Sequence, residues 1–267
     1  MKVSALLWAI ALIITLASVY YQNLTGPTYP KSGAITFEGK VIEYRFLRSH
    51  GGKDDCSVSI KADDKEIKSY LMWKRFNTDD EWTKVEMKYF NGVHIAVLPN
   101  QPPAGKLVYQ ILLHKGNTQL TVPEVEPVVI RFRGSVPATL LIPHIIVMFL
   151  AMLLSTRTGL EIFRKEPAYK KLTIWTLGFM IVGGLILGPL VQNYAFGELW
   201  TGFPFGIDLT DNKTLIATLG WIAALVAVYK YKKPKYWVLG AALLTLIIFL
   251  IPHSLLGSEL DYNKMNK

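Results

Sequence analysis

The sequence is poor in the features that mark familiar soluble enzymes. One cysteine, Cys56, occurs in 267 residues, which excludes an intramolecular disulfide and any multi-cysteine metal or iron–sulfur site built by this chain alone. Its alternation with Val58 and Ile60 makes it a core thiol. No P-loop, GxGxxG, GxSxG or HExxH string is present, so the common nucleotide-dependent and hydrolytic mechanisms have no support. Charged residues make up 18% of the chain against 51% hydrophobic, a mixture that fits lipid-facing and water-facing parts better than one soluble core. No acidic residue lies in the middle of an apolar run and no inverted repeat is visible, which argues against a transporter. The net charge of +9 would suggest a nucleic-acid partner in a soluble chain. Here Lys and Arg gather beside the apolar segments and read as topology determinants, so no nucleic-acid partner is expected.

Five apolar runs organise the chain. The first, Val3 to Tyr20, comes directly after Lys2 and reads either as an anchoring helix or as the h-region of a signal peptide; both export the segment beyond it. Its length and the flanking Tyr20 and Tyr21 favour an anchor. The others are Val136 to Leu154, Leu172 to Val191, Leu215 to Tyr229 and Trp237 to Ile251. Arg157, Arg164, Lys165, Lys170 and Lys171 crowd one connection, and Lys230, Lys232, Lys233 and Lys235 another, which places both in the cytoplasm. The N-terminus is then cytoplasmic, and residues 27–134, the loop 192–213 and a tail from residue 254 are external, at a plasma (inner) membrane.

Between the first two runs the period changes to two. Ile42, Tyr44 and Phe46 oppose Glu43, Arg45 and Leu47; Val85, Met87 and Tyr89 oppose Lys84, Glu86 and Lys88. These patterns, with AITFEG, CSVSIKA, IKSYLMWKRF, GVHIAVL, KLVYQILLH and VVIRFRG, predict seven or eight half-buried strands. The expected fold class is therefore a membrane α-helical bundle of about five spans with an inserted, extracytoplasmic, all-β immunoglobulin-like sandwich. Its expected divisions are an N-terminal anchor (1–26), a β domain (27–134), a four-helix domain (135–253) and an external tail (254–267). His50, His94 and His114 lack ligand spacing and read as surface or strand residues.

His144 and His253 are the intramembrane histidines, each in a Leu-Ile-Pro-His tetrapeptide. Ionisable groups inside a span are costly and usually face a cavity, a partner or a cofactor. At 1.5 Å per residue, His144 lies roughly 20 Å from Arg157 and His253 roughly 27 Å from Lys235, so both fall in the outer half. Pro143 and Pro252 would free the carbonyls of Thr139 and Ile248. These histidines either bond freed carbonyls at a helix edge, ligate one haem together, or serve proton relay or quinone binding. The external loop GPLVQNYAFGELWTGFPFGIDLTDNKTL places Tyr194, Phe196, Trp200, Phe203 and Phe205 among glycines, as an interfacial belt or as a platform for a flat ligand. Asp208 and Asp211 come next, and Asp211 or Thr210 can cap the helix after them. Gly184 and Gly188 form a GxxxG close-packing pair.

The order external histidine, helix pair, aromatic loop ending in Asp, helix pair, external histidine resembles the haem-handling membrane proteins of cytochrome c biogenesis. The resemblance spans roughly residues 141–254. It implies haem b held by His144 and His253 as iron ligands beneath Trp200, Phe203, Phe205 and Asp208; quinone, read from the histidines themselves, is the alternative cofactor. That family's loop carries several tryptophans, whereas this one has Trp200 alone. The function expected is a non-hydrolytic membrane component that binds a flat redox cofactor for electron transfer, its β domain docking an exported or membrane protein. The alternative is an assembly scaffold whose helices only anchor the β domain and which holds no cofactor.

Overall fold

Every third or fourth residue of the first apolar run is buried, and that stripe decides how the run packs. Leu7, Ala11, Thr15 and Ser18 turn inward along α1 (Lys2–Thr25), as a one-sided helix requires. The structure is a computed structural model, which describes residues 2–252, 257 and 259–265. Two compact units result: Met1–Pro27 with Val136–Ser258, and Thr28–Ser135 with Glu259–Lys267.

In the helical unit, α1 is joined by α2 (Ala138–Gly159), which runs into a 3-10 turn at Leu160–Phe163. Next come α3 (Tyr169–Met180), a π turn (Ile181–Leu187) and α4 (Gly188–Phe196), which form one rod of 28 residues. Helices α5 (Leu209–Lys230) and α6 (Lys235–Leu250) complete the unit. Among the described residues, four helical segments, Val3–Thr25, Ala138–Phe163, Tyr169–Phe196 and Leu209–Lys230, are long and apolar enough to cross a membrane. The expected fifth, α6, has 16 residues, fewer than the roughly 20 a perpendicular span needs. It stops where it does because Ile251 precedes Pro252 and turns extended, with ψ 122°, a conformation the proline ring imposes on its neighbour.

Trp221 is fully buried among Ala217, Ala224, Ala241 and Ala242, small residues that let α5 and α6 approach closely. Its indole N–H donates to Thr245 Oγ1 at 2.9 Å. At the far end of α2, Arg157 and Glu161 form an ion pair with both side chains buried. Glu161 also accepts from the N–H of Ala168, ahead of α3. Arg157, read from the sequence as one of the basic residues of a cytoplasmic connection, is therefore buried and paired inside the unit.

The second unit contains β1 (Lys31–Phe37), β2 (Lys40–Phe46), β3 (Ser49–Gly51), β4 (Cys56–Lys61), β5 (Lys68–Arg75), β6 (Thr83–Glu86), β7 (Lys88–Phe90), β8 (Val93–Leu98), β9 (Lys106–Lys115), β10 (Thr118–Val122) and β11 (Val128–Arg133). One sheet runs β4-β8-β7 and another β3-β11-β9-β5-β6, with β10 also on β9 and a separate β1-β2 hairpin. In chain order this is the B-E-D and C′-C-F-G arrangement of an immunoglobulin-type sandwich. All sheets share one core that includes Phe37, Phe46, Leu71, Leu107, Ile111 and Phe132.

Three details depart from the strand pattern. Residues 84–89, which alternate as one strand, change sheets at Met87, since β6 pairs with β5 and β7 with β8. The alternation survives because both sheets bury the same face. A strand outside the expected runs, β10, precedes the last one and is separated from β11 by a run bounded by Pro123 and Pro127, two residues that cannot donate to a ladder. His94 is a core residue, 1% exposed, with Nε2 3.2 Å from the Ala62 carbonyl. Cys56 is buried as its alternation predicts.

The C-terminal segment folds onto the β domain. Lys106 Nζ meets Glu259 Oε2 at 2.6 Å, the Leu260 N–H donates to Ala104 O at 3.1 Å, and the Tyr262 hydroxyl donates to Gln101 Oε1 at 2.9 Å. A short helix, α7 (Tyr262–Met265), carries the last of these contacts. The segment expected as an external tail thus belongs to the β unit from Glu259 onward.

Candidate functional site

Pro189 lacks an N–H and sits at the start of α4, where its ring would collide with a carbonyl one α-turn earlier. The π turn directly before it widens the ladder and relieves that collision. One consequence is that Gly183 O receives the N–H of Gly188, five residues on. The same oxygen accepts a second bond, from His144 Nδ1 of α2 at 3.1 Å. A carbonyl only accepts, so the proton is on Nδ1 and, in the neutral ring, Nε2 presents a lone pair. Nε2 has no hydrogen-bond partner among the described residues.

Glycine is required at this crossing. A β-carbon on Gly183 would lie 2.7 Å from Met148 Sδ, and one on Gly184 2.5 Å from Thr214 Cγ2. Of the expected GxxxG pair, Gly184 thus faces α5, and a β-carbon on Gly188 would lie 3.7 Å from His144 Cε1 of α2.

His144 lines an open cleft of about 350 Å³ formed by α1, α2, α4 and α6. Leu141, Ile145, Met148, Phe149, Met152, Val191 and Phe249 supply its apolar wall, and Ser18 and Gln22 are the other polar side chains on it. Gln22 Nε2 donates to Phe249 O at 2.6 Å and to Ile251 O at 3.4 Å. Lys213 Nζ, on α5, donates to Ile251 O at 2.7 Å and Pro252 O at 3.2 Å. Gln22 and Lys213 together satisfy carbonyls that the end of α6 leaves without helical partners, a necessity in apolar surroundings.

The aromatic loop is built around a different centre. Asp208, not Asp211 or Thr210, caps α5: its carboxylate accepts from the N–H groups of Thr210 and Asp211. Asp211 instead reaches back into the loop, where its Oδ2 accepts from Thr201 N at 2.6 Å, Gly202 N at 3.0 Å and Gln192 Nε2 at 3.1 Å. Asn212 Oδ1 accepts from Phe203 N at 2.7 Å. Trp200 Nε1 donates to Phe203 O at 3.0 Å. Phe203 and Phe205 stand exposed at the loop's surface.

The structure thus brings His144 together with α1 and α6, and leaves Trp200, Phe203, Phe205 and Asp208 off the wall of its cleft. His253 lies outside the described residues. With α6 ending at Leu250, the helical count used to place its depth does not extend to it. Among the described residues no group of three or more His, Cys, Asp or Glu side chains converges on a metal position. His144 has the arrangement of a ligating imidazole, one nitrogen tied to a carbonyl and the other open. The described residues do not by themselves make up a bis-histidine haem site, since a second axial group and the aromatic cover are not joined to it.

Ser18 and Gln22 escaped sequence reasoning because each is a single polar residue inside or beside the first apolar run. That position was the available signal. Lys213 was hidden by its place near the start of α5, where charge is ordinary.

No protein-family model matches the chain, and no curated protein matches it. Among solved structures, a bromine derivative of BhCBM56 is similar over 39% of this chain and 92% of its own length, with 15% identity and a TM-score of 0.23. The FN1–FN3 domains of chicken CNTN1 are similar over 39% of this chain and 34% of theirs, with 13% identity and a TM-score of 0.24. The chain thus spans about a third of that second structure.

Proposed function

We propose that this chain is a membrane protein whose helical unit takes a lipid-soluble ligand with a flat polar head, a quinone by class, into the cleft beside His144. The observation that carries this reading is the lining: one histidine, one serine and one glutamine on an otherwise apolar wall among membrane-length helices. A few placed polar groups in an apolar cavity is the usual constitution of a small-molecule site, and 350 Å³ falls within the usual range. Met148, Met152, Phe149 and Phe249 suit a ring, through sulfur–aromatic and ring–ring contact.

Haem is the second reading, favoured by the bond from His144 Nδ1 to Gly183 O, which would orient Nε2 toward an iron. The β unit in this proposal recognises an exported protein through the loops at the sandwich ends. A plasma membrane location with a cytoplasmic N-terminus is inferred from the basic connections. Attachment of residues 259–265 to the β unit supports a C-terminus on the same side as that domain.

The test is ligand binding by the full chain in lipid nanodiscs, with a decyl-tailed ubiquinone and its hydroquinone as probes. At least one should bind above the level of empty nanodiscs, His144→Ala should remove that binding, and Trp200→Ala should leave it. Failure of both probes would overturn the reading. A Soret band in the gently purified protein, lost in His144→Ala, would replace it with the haem reading. Absence of both signals would favour an anchored scaffold.

A further inference from the structure

Each polar side chain on the wall of the His144 cleft already spends its donor hydrogens on a backbone carbonyl. His144 gives its Nδ1–H to Gly183 O. The Ser18 hydroxyl donates to Ile14 O at 2.8 Å, the usual back-bond of a serine inside a helix. Gln22 directs its amide nitrogen at two carbonyls, Phe249 O and Ile251 O. Because carbonyls cannot donate, the orientation of the Gln22 amide and the tautomer of His144 are both determined by these partners. Three groups are left for a ligand, His144 Nε2, Ser18 Oγ and Gln22 Oε1, and all three present lone pairs as acceptors.

We infer that the cleft selects hydroxyl-bearing ligands, and that among quinone-class molecules it holds the hydroquinone in preference to the quinone. The inference rests on the reading of this cleft as a ligand site. A quinone brings two carbonyl oxygens, which are acceptors facing acceptors. A hydroquinone brings two O–H donors to the same positions. Where an open cleft of this kind faces lipid instead of water, an unmatched polar pair is penalised at both ends, and a site built to bond a hydroxyl rejects the analogue that lacks it more strongly than an apolar pocket rejects a change of size. Among the described residues no charged side chain lines the cleft, so none of them supplies a competing ionic donor.

The experiment compares the decyl-tailed ubiquinone with its hydroquinone, the latter kept reduced under anaerobic conditions, on the full chain in phosphatidylcholine nanodiscs. Binding is taken as the excess over empty nanodiscs. The hydroquinone should bind about tenfold tighter or more, the consequence of one matched against one mismatched hydrogen bond. Ser18→Ala, which removes one acceptor with little change of shape, should reduce that ratio, and His144→Phe should bring it close to one. Equal binding of the two forms, or tighter binding of the quinone, would overturn the selection while leaving the cleft a ligand site. Binding of neither would overturn both. A saturated alcohol of similar size that competes fully with the hydroquinone would show selection for the hydroxyl without selection for the ring, overturning the quinone-class assignment.

Discussion

His144 and Gly183 are joined by a 3.1 Å hydrogen bond from the imidazole Nδ1 of one helix to a carbonyl in the π turn of another. The bond sets the tautomer of the histidine, and the π turn sets the position of the carbonyl, so changes at the glycine reach the cleft. Gly183→Ala adds a β-carbon 2.7 Å from Met148 Sδ and 3.0 Å from Cγ1 of the stiffer Val147 and should destabilise the protein by about 1–3 kcal/mol, the usual effect of overpacking. It should also weaken binding in the cleft. Gly178→Ala is the control, since a β-carbon there meets nothing within 4 Å; it should be neutral or slightly stabilising. Thermal unfolding in detergent distinguishes the two, and equal melting temperatures would contradict the close approach.

Glu161→Gln should be among the most damaging single changes. It leaves the buried guanidinium of Arg157 without its carboxylate, and breaking such a pair costs about 3–5 kcal/mol. Adding Arg157→Met should recover much of the loss, because the substituted amide still offers an oxygen to the Ala168 N–H that Glu161 now caps. The measurement is the melting temperature of the single and double variants. A single variant as stable as the parent would show that the pair carries no stability.

Asp211→Ala should loosen the aromatic loop, because the N–H groups of Thr201 and Gly202 lose their acceptor. The cost is about 1–3 kcal/mol for each buried group left unmatched, and limited proteolysis should newly cut between Gly197 and Asp208. The cap on α5 belongs to Asp208, so helix content should hold. Loss of helicity without cleavage would argue against this division of labour.

The β unit should lose stability in two acid steps. Burial holds the His94 imidazole below its ordinary value of 6.5, against the opposing pull of its bond to Ala62. The unfolded chain therefore takes up that proton first, and stability falls as pH drops below about 6.5 until the folded ring also protonates. The hydrogen bond from Lys115 lowers the Asp64 carboxyl from 3.8 to about 2, so its contribution is present above 3.8 and lost as pH falls through about 2. Denaturant unfolding of the β unit's near-ultraviolet signal against pH reads both windows. His94→Gln should flatten the upper one and leave the lower.

Cys56 gives the topology experiment a silent background. Burial raises its thiol from 9.0 to about 11, so an impermeant maleimide should ignore it at neutral pH. Single cysteines at the exposed positions Lys53, Lys165 and Lys264 then report sidedness in intact cells. Lys53→Cys and Lys264→Cys should label and Lys165→Cys should label only after permeabilisation. Labelling of Lys165→Cys in intact cells would reverse the proposed orientation.

Local pattern carried most of the architecture. Apolar runs marked α1 to α6, and period-two alternation marked β1, β2, β4, β5, β8, β9 and β11, because burial of one face is written into neighbouring residues. It missed β3 and β10, of 3 and 5 residues, which are too short to show a period. It merged β6 with β7, because a strand that changes sheets around one core keeps its inward face.

The chain's own order of residues determined where helices and strands lie, that Cys56 is a core thiol, and that His144 belongs to a membrane-length helix. Only the tertiary structure decided what His144 does with its two nitrogens. Its bond partner Gly183 is 39 positions away, and the Phe249 carbonyl that consumes the Gln22 amide is 227 away. No local periodicity encodes such pairs. They arise when packed helices bring a side-chain donor within reach of a carbonyl on a neighbouring helix, and the side chains so engaged turn the cleft into a surface of acceptors.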